Sequence, residues 1–228
     1  MNELPIIFPM NKIIAMGVPP YVAFSLLATL LIVIFALTVN KSLKLVPTGA
    51  QNFIEVIAEF LLDLVDTSIG HMGRYFFPLV ATLFIYILVC NTLGLIPGFE
   101  APTGNLNTTV ALAIPVFLAT HYYGIKIHKS GYIKHFVGPI RSVAALPLMI
   151  LMLFIELVGH LARPLTLSVR LFGNMMAKHM LIMILATMAP WIVPIPILTL
   201  GVLVSVVQAL VFTLLTALYL AGAVEEAH

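Results

Sequence analysis

Long apolar runs separated by short polar segments dominate the chain. A helix needs about 20 residues to cross a bilayer core of roughly 30 Å, because each residue adds 1.5 Å. Three runs fit a single crossing, at 21–39, 76–96 and 108–126. The pattern predicts three membrane-spanning helices at these positions.

The segment 50–70 has a different pattern, in which acidic residues recur at spacings of three and four among apolar ones. These acidic residues are Glu55, Glu59, Asp63 and Asp66. Such a pattern predicts an amphipathic helix that lies on the membrane surface rather than crossing it. A helix packed against the soluble part of a partner is the alternative.

The last two apolar segments, 144–187 and 195–223, are too long for simple spans. The first would measure about 65 Å if it were wholly helical. Pro164 interrupts it, and a proline inside a helix kinks or ends that helix. Hydropathy alone leaves two alternatives, a hairpin of two spans or one long, steeply inclined helix.

The distribution of basic residues favours single inclined helices. Loops 98–107 and 187–196 contain no lysine or arginine, whereas the other connections contain Lys41, Lys44, Arg74, Lys126, Lys129, Lys134 and Arg141. Five crossings put all these basic connections on one side, which the positive-inside rule assigns to the cytoplasm. We therefore expect the N-terminus outside and the C-terminus in the cytoplasm.

Composition agrees with a membrane solvent, since 61% of the 228 residues are hydrophobic and only 9% are charged. Soluble domains carry about 25% charged residues. We expect an all-α integral membrane protein, with residues 1–228 forming a single membrane domain. The net charge of +2 gives no electrostatic case for a nucleic-acid partner.

Other sequence features exclude several kinds of site. The single cysteine excludes a disulfide framework. No G-x-x-x-x-G-K-[ST] loop is present, so we expect no ATP chemistry in this chain. We also expect neither a metal nor a cofactor. The N-terminus lacks the basic region of a signal peptide, so the chain is expected to be in its mature form.

The apolar segment 144–187 carries six ionisable residues: Glu156, His160, Arg163, Arg170, Lys178 and His179. Each is costly at membrane depth unless it is paired or wetted. At 100° per residue, Glu156, Arg163, Thr166 and Asn174 lie within about 40° of the direction of Arg170. His160 and Lys178 lie at the margin, about 80° away. This polar face must contact protein or water rather than lipid.

Arg170 is the centre of this face. Its guanidinium stays protonated, so it can act as a fixed positive charge but not as a proton relay. The clear carboxylate at membrane depth, Glu156, is about 21 Å away along a straight helix. We therefore expect a counter-charge from another polypeptide or a substrate. A structural arginine, paired with carbonyl groups or reaching the interface, is the alternative.

Polar groups on either side of Arg170 suggest two half-channels that open to opposite compartments. His179 points about 180° away from Arg170 and lies toward the outer face. An imidazole can pass protons near neutral pH, although a lone histidine can also be a satisfied core residue. Ser205 and Gln208 share a face of the last segment, either as part of a polar path or as helix-to-helix hydrogen-bonding groups.

Several motifs resemble one family. The run 163–179, RPLTLSVRLFGNMMAKH, resembles the signature of subunit a of F-type ATP synthases. The runs 86–97, YILVCNTLGLIP, and 105–112, NLNTTVAL, are similar to the family's earlier spans. The run 207–212, VQALVF, with Tyr219 and Glu225-Glu226, is similar to its C-terminal pattern.

The resemblance implies a proton-translocating stator subunit in the bacterial plasma membrane. Its partners would be a rotating ring of c subunits, facing the last two helices, and the peripheral-stalk b subunits. Arg170 would face each ring carboxylate in turn. The outer half-channel would contain His179, Gln208, Asn174, Ser205, Asn91 and Lys178. The cytoplasmic half-channel would contain Glu156, Arg163, Thr166 and His160.

The chain departs from the family pattern at three positions. Gly94 replaces an aspartate found in some bacterial members, and Gly201 replaces a histidine or glutamate that pairs with position 179. His179 would then work with water alone or with Glu100. Lys178 replaces a common glycine, and our hypothesis is that it hinders proton escape or tunes proton entry.

Two other function classes compete with this interpretation. A secondary transporter could use Arg170 to bind an anion, but it would need internal repeats, and none is evident. An intramembrane hydrolase would need a Ser-His pairing or an HExxH motif, and neither is present at convincing spacing.

Overall fold

The described part of the chain forms six α-helices. The computed structural model describes residues 17–40, 44, 49–96, 99–129, 146–188 and 194–224. The helices are α1 (Pro20–Asn40), α2 (Ala50–Ile69), α3 (Gly73–Leu93), α4 (Leu106–His128), α5 (Leu146–Met188) and α6 (Pro194–Val224). Two single-turn 3-10 helices, Gly70–Met72 and Pro102–Gly104, precede α3 and α4.

Five helical stretches of the described chain are long and apolar enough to cross a membrane. They are Pro20–Asn40, Gln51–Leu93, Leu106–His128, Met149–Leu185 and Leu198–Val224. Every backbone polar group of a helix interior is paired within the helix, which is what a hydrocarbon solvent demands. The prediction of an all-α, multi-pass membrane protein is confirmed.

The main core lies where α3, α5 and α6 meet, with α2 and α4 packed beside them. Its best-buried large side chains are Ile87 of α3, Leu171 of α5 and Phe212 of α6. Ala113 of α4 and Ala209 of α6 are also buried in this core. Small residues let helix backbones approach closely in a membrane protein, where lipid offers no hydrophobic driving force between helices.

Helix α5 is one continuous helix of 43 residues, although Pro164 lies inside it. The hairpin alternative is therefore wrong for this segment, and the single helix favoured by the basic residues is the one that forms. Helix α6 is likewise a single helix, of 31 residues. A proline removes one hydrogen bond from a spanning helix but need not end it, because neighbouring groups compensate.

Helix α2 packs on its own chain, against α3 and α6. Leu61 and Val65 are its buried contacts, whereas Phe53, Val56 and Phe60 remain exposed. The helix thus has a second apolar strip that the described part of the chain leaves exposed. Its position relative to the membrane surface stays a prediction.

The predicted orientation also stays a prediction. Lys41, Lys134 and Arg141 lie outside the described residues, and so does the tail Glu225-Glu226.

Gly73 tests the tight junction between α2 and α3. A Cβ at this position would lie 2.8 Å from the carbonyl oxygen of Val65, a backbone atom that cannot move without shifting α2. We expect Gly73→Ala to lower the free energy of unfolding by about 1–3 kcal/mol, as overpacking does. Thermal unfolding in detergent measures this change. Gly159→Ala is the control, since a Cβ there meets nothing within 4 Å. Equal melting temperatures for the two variants would contradict the assigned junction.

Candidate functional site

A buried polar cluster joins α3, α5 and α6. The Lys178 ammonium donates hydrogen bonds to the carbonyl oxygen of Asn91 and to Ser205 Oγ, each at 3.3 Å. The Ser205 hydroxyl in turn donates to the carbonyl oxygen of Gly201 at 2.7 Å. Lys178 is only 8% exposed. Three of the residues predicted for the outer half-channel therefore meet at one point, and the lysine turns inward rather than toward the interface.

Both polar atoms of the Asn91 side chain form hydrogen bonds in this cluster. Its Oδ1 accepts a hydrogen bond from Thr103 Oγ1 at 2.6 Å, and its Nδ2 donates to the carbonyl oxygen of Ser205 at 3.4 Å. Asn91 and Thr103 are both completely buried. Asn91 thus ties the 3-10 turn before α4 to helix α6, and it gives Lys178 a backbone acceptor.

At the two glycines that depart from the family pattern, neighbouring atoms leave little room for a side chain. A Cβ at Gly201 would lie 2.6 Å from Leu95 Cδ2 and 3.3 Å from Lys178 Cδ. A Cβ at Gly94 would overlap Ala101. A side chain at position 201 would therefore compete with the lysine stem for one space, and Gly94 allows the segment before α4 to pack closely.

A second polar contact lies one helical turn from Arg170. Asn174 Nδ2 donates to Gln208 Oε1 at 2.6 Å. Gln208 is 4% exposed, and its Nε2 has no hydrogen-bond partner among the described residues. A buried donor without a partner is costly, so this amide is suited to an acceptor from outside the described chain.

Arg170 lies on an exposed flank of α5. Its neighbours Leu167 and Leu171 are buried, whereas Arg170 itself is exposed. It forms no ion pair with any described residue. Few of the described residues of α5 are buried inside this chain, namely Leu167, Ser168, Leu171, Met175 and Lys178. Most of the helix, including the arginine, is therefore available to lipid or to another polypeptide.

Thr166 and His179 do not join either polar group. The Thr166 hydroxyl donates to the carbonyl oxygen of Ala162 at 2.8 Å, within its own helix. His179 is exposed and has no hydrogen bond to the described part of the chain. Glu100, the suggested partner of His179, is also exposed and has no ion pair there.

Glu156, His160 and Arg163 form a third group along α5. His160 Nδ1 lies 3.0 Å from the carbonyl oxygen of Glu156 and 3.4 Å from its carboxylate oxygen Oε1. The Arg163 guanidinium lies over the ring of Tyr219 from α6, at 5.6 Å from the ring centroid. The Glu156 carboxylate thus lies beside His160 and forms no ion pair with the distant Arg170.

Two residues of the polar groups, His121 and Thr103, were not predicted from the sequence pattern. The His121 ring centroid lies 5.3 Å from that of His160. An ionisable residue inside a membrane span is costly unless it is paired or wetted, and this rule, applied above to segment 144–187, would have identified His121 on α4. Thr103 carries no comparable signal, because its importance comes from its contact with Asn91.

Comparisons with a family model and with known proteins point to the same family. The family model described as "ATP synthase A chain" matches residues 22–221. "ATP synthase subunit a 1" of Pelobacter propionicus is 50% identical over 207 residues, covering 91% of this chain and 88% of that protein. "ATP synthase subunit a" of Geobacter sulfurreducens and that of Trichlorobacter lovleyi are each 49% identical, with the same coverage.

Asn91 provides a test of the buried cluster. Asn91→Ala leaves the Thr103 hydroxyl without its acceptor and opens a cavity, so we expect a loss of about 1–3 kcal/mol in the free energy of unfolding. Thermal unfolding in detergent measures the loss. The control is Thr92→Ala, whose exposed hydroxyl donates only to Leu88 of its own helix. If both variants unfold at the wild-type temperature, Asn91 does not organise the cluster.

Proposed function

The chain belongs to the ATP synthase A chain family, and we propose that it is the proton-translocating stator subunit of a rotary F-type ATP synthase. The observation that carries this proposal is Arg170. A permanently charged side chain lies exposed on a membrane helix without a counter-charge in the described chain. Such a charge calls for a carboxylate supplied by a partner.

The proposed partner is a ring of c subunits that carries one carboxylate per subunit. Helix α5, at 43 residues, would be about 65 Å long against a bilayer core of roughly 30 Å. In our proposal α5 and α6 are therefore steeply inclined and lie along the curved ring surface. The peripheral-stalk b subunits hold the chain against rotation, from a side away from the ring.

Arg170 is proposed to separate two proton half-channels. It attracts each ionised ring carboxylate and repels a proton that would pass directly from one side to the other. The neighbouring amides of Asn174 and Gln208 support the same contact, because the unpartnered Gln208 Nε2 can donate to a carboxylate oxygen. A neutral, protonated carboxylate leaves the arginine and enters lipid at low cost.

The outer half-channel is proposed to pass His179 and the polar residues near Asn91, Lys178 and Ser205. A proton that enters there neutralises a ring carboxylate, and the ring turns. After nearly a full turn, the proton leaves toward the cytoplasm past Arg163, Thr166, His160 and Glu156. The N-terminus is outside and the C-terminus is in the cytoplasm of a bacterial plasma membrane in this arrangement.

The energetics require several protons for each ATP. One charge that crosses 100 mV releases about 2.3 kcal/mol. The rotation of the ring accumulates these steps and delivers them to a catalytic part elsewhere in the complex. This chain supplies the path and the fixed charge and carries out no ATP chemistry.

Arg170→Gln tests the proposal most directly. We expect ATP-driven proton pumping in inverted membrane vesicles to fall to background, because the amide keeps some hydrogen bonding but removes the fixed charge. Arg74→Gln is the matched control, since Arg74 is an exposed residue paired with Asp66 at 3.6 Å. Copurification with the ring and the peripheral ATPase must be equal in both variants. Normal pumping by assembled Arg170→Gln would contradict the proposal.

Lys178→Ala tests the hypothesis that Lys178 tunes proton entry. The ammonium is buried beside Asn91 and Ser205 in the proposed outer half-channel. Removing a positive charge makes protonation of nearby groups more favourable. We therefore expect the pH profile of proton pumping to shift toward higher pH. Lys126→Ala, at an exposed lysine of α4, is the control. A pH profile identical to wild type would reject this role.

A further inference from the structure

Two histidines from different helices form a pair. His121 lies on α4 and His160 on α5, and their ring centroids are 5.3 Å apart with the rings nearly perpendicular, at 76°. Neither helix alone predicts this pairing, because the two residues are 39 positions apart in the chain. The contact exists because α4 and α5 pack along each other.

The hydrogen bonds of the two rings define which nitrogen exchanges a proton. His121 Nδ1 lies 2.9 Å from the carbonyl oxygen of Phe117, and His160 Nδ1 lies 3.0 Å from that of Glu156. A carbonyl oxygen only accepts, so each Nδ1 must carry the hydrogen. In both rings Nε2 is then the nitrogen that remains able to accept a further proton.

Repulsion between the rings limits the pair to one mobile proton at a time. Two positively charged imidazoles at this separation would repel each other. The Glu156 carboxylate lies 3.4 Å from His160 Nδ1, and Arg163 lies on the next turn of α5. On α4, the Thr120 hydroxyl lies 3.4 Å from His121 Nδ1. On α6, the ring of Tyr219 lies against the Arg163 guanidinium.

The exposed fraction of the side chain rises from His160 to Glu156. The side chain of His160 is 13% exposed and that of Glu156 is 35% exposed. His160 is about 15 Å from Arg170 along the helix. His121 lies five residues before Lys126 and eight before Lys129, near the basic end of α4. The pair therefore lies between the fixed charge and the end of α4 that is predicted to face the cytoplasm.

We propose that His121 is a proton-carrying residue of the cytoplasmic half-channel, which exchanges one proton with His160. This inference rests on the proposed function. A proton released by a ring carboxylate forms an N–H bond at His160 Nε2. That bond then breaks as the proton passes to His121 Nε2, directly or through one water, and His121 releases it to bulk water. The pair gains one positive charge when His160 takes up the proton and returns to its starting charge when His121 releases that proton to water.

The test uses inverted membrane vesicles that contain the whole ATP synthase, so that the cytoplasmic face is in contact with the buffer. His121→Phe keeps an aromatic ring against Phe117, whose centroid is 4.1 Å from that of His121, but cannot carry a proton. His128→Phe, at the last residue of the same helix, is the matched control. ATP-driven proton pumping is measured from pH 5.5 to 9, with and without added imidazole buffer.

We expect His121→Phe to slow pumping by a factor of roughly 100 or more, the lower end of the range for loss of a positioned proton-transferring side chain. We also expect a changed pH profile and recovery of most of the rate with imidazole buffer, which can enter from the cytoplasmic side. His128→Phe should match wild type. His121→Gln should behave like His121→Phe, since it also lacks a titratable nitrogen.

Two results would overturn the inference. One is a wild-type rate and pH profile for His121→Phe. The other is a slower rate that follows reduced assembly, with an unchanged pH profile and no recovery with imidazole, because a packing role alone would produce it. Arg170→Gln separates this inference from the proposed function. If it abolishes pumping while His121→Phe does not alter it, only the role of His121 fails.

Discussion

A permanent positive charge on a membrane helix is the constraint on which the rest of this protein depends. Hydrocarbon solvates a guanidinium poorly, so Arg170 requires a carboxylate, water or a polar partner. The described chain offers it no ion pair, and the long helix that carries it is mostly uncovered. The chain alone is therefore an incomplete electrostatic unit. A moving ring of carboxylates would complete it, and each passing carboxylate would meet the same fixed charge.

On the buried flank of the same helix, the polar groups find their hydrogen-bond partners within this chain. There, Asn91, Lys178 and Ser205 form hydrogen bonds with one another through backbone, amide, ammonium and hydroxyl groups, and none of the described carboxylates takes part. Three helices and the 3-10 turn before α4 are tied together at this point. The absence of a side chain at Gly201 makes room for the lysine stem. Close packing on one flank of α5 thus accompanies, on the other flank, a charge without an ion pair among the described residues.

The two proposed half-channels differ in their chemistry. Near Asn91 the groups are mainly amides, hydroxyls and one ammonium, whereas the cytoplasmic group combines Glu156 with two imidazoles. Imidazoles and carboxylates gain and lose protons readily, and amides do not. The proposed cytoplasmic half-channel therefore has side chains able to carry protons. The proposed outer half-channel would depend more on water and on His179, which is exposed.

Sequence by itself determined the helices, the membrane environment and the isolation of Arg170. Hydropathy over a window of about 20 residues is a local property, and charge spacing along one helix follows from a fixed angle per residue. Several features depended on the tertiary structure: the unbroken path of α5 through Pro164, the burial of Lys178, the contact of Asn91 with Thr103 and the pairing of His121 with His160. Angular arithmetic placed His160 and Lys178 at the edge of the polar face, yet these two turn toward the protein. The reason is that distances between helices decide which flank is buried, and a single-helix pattern contains no such distances.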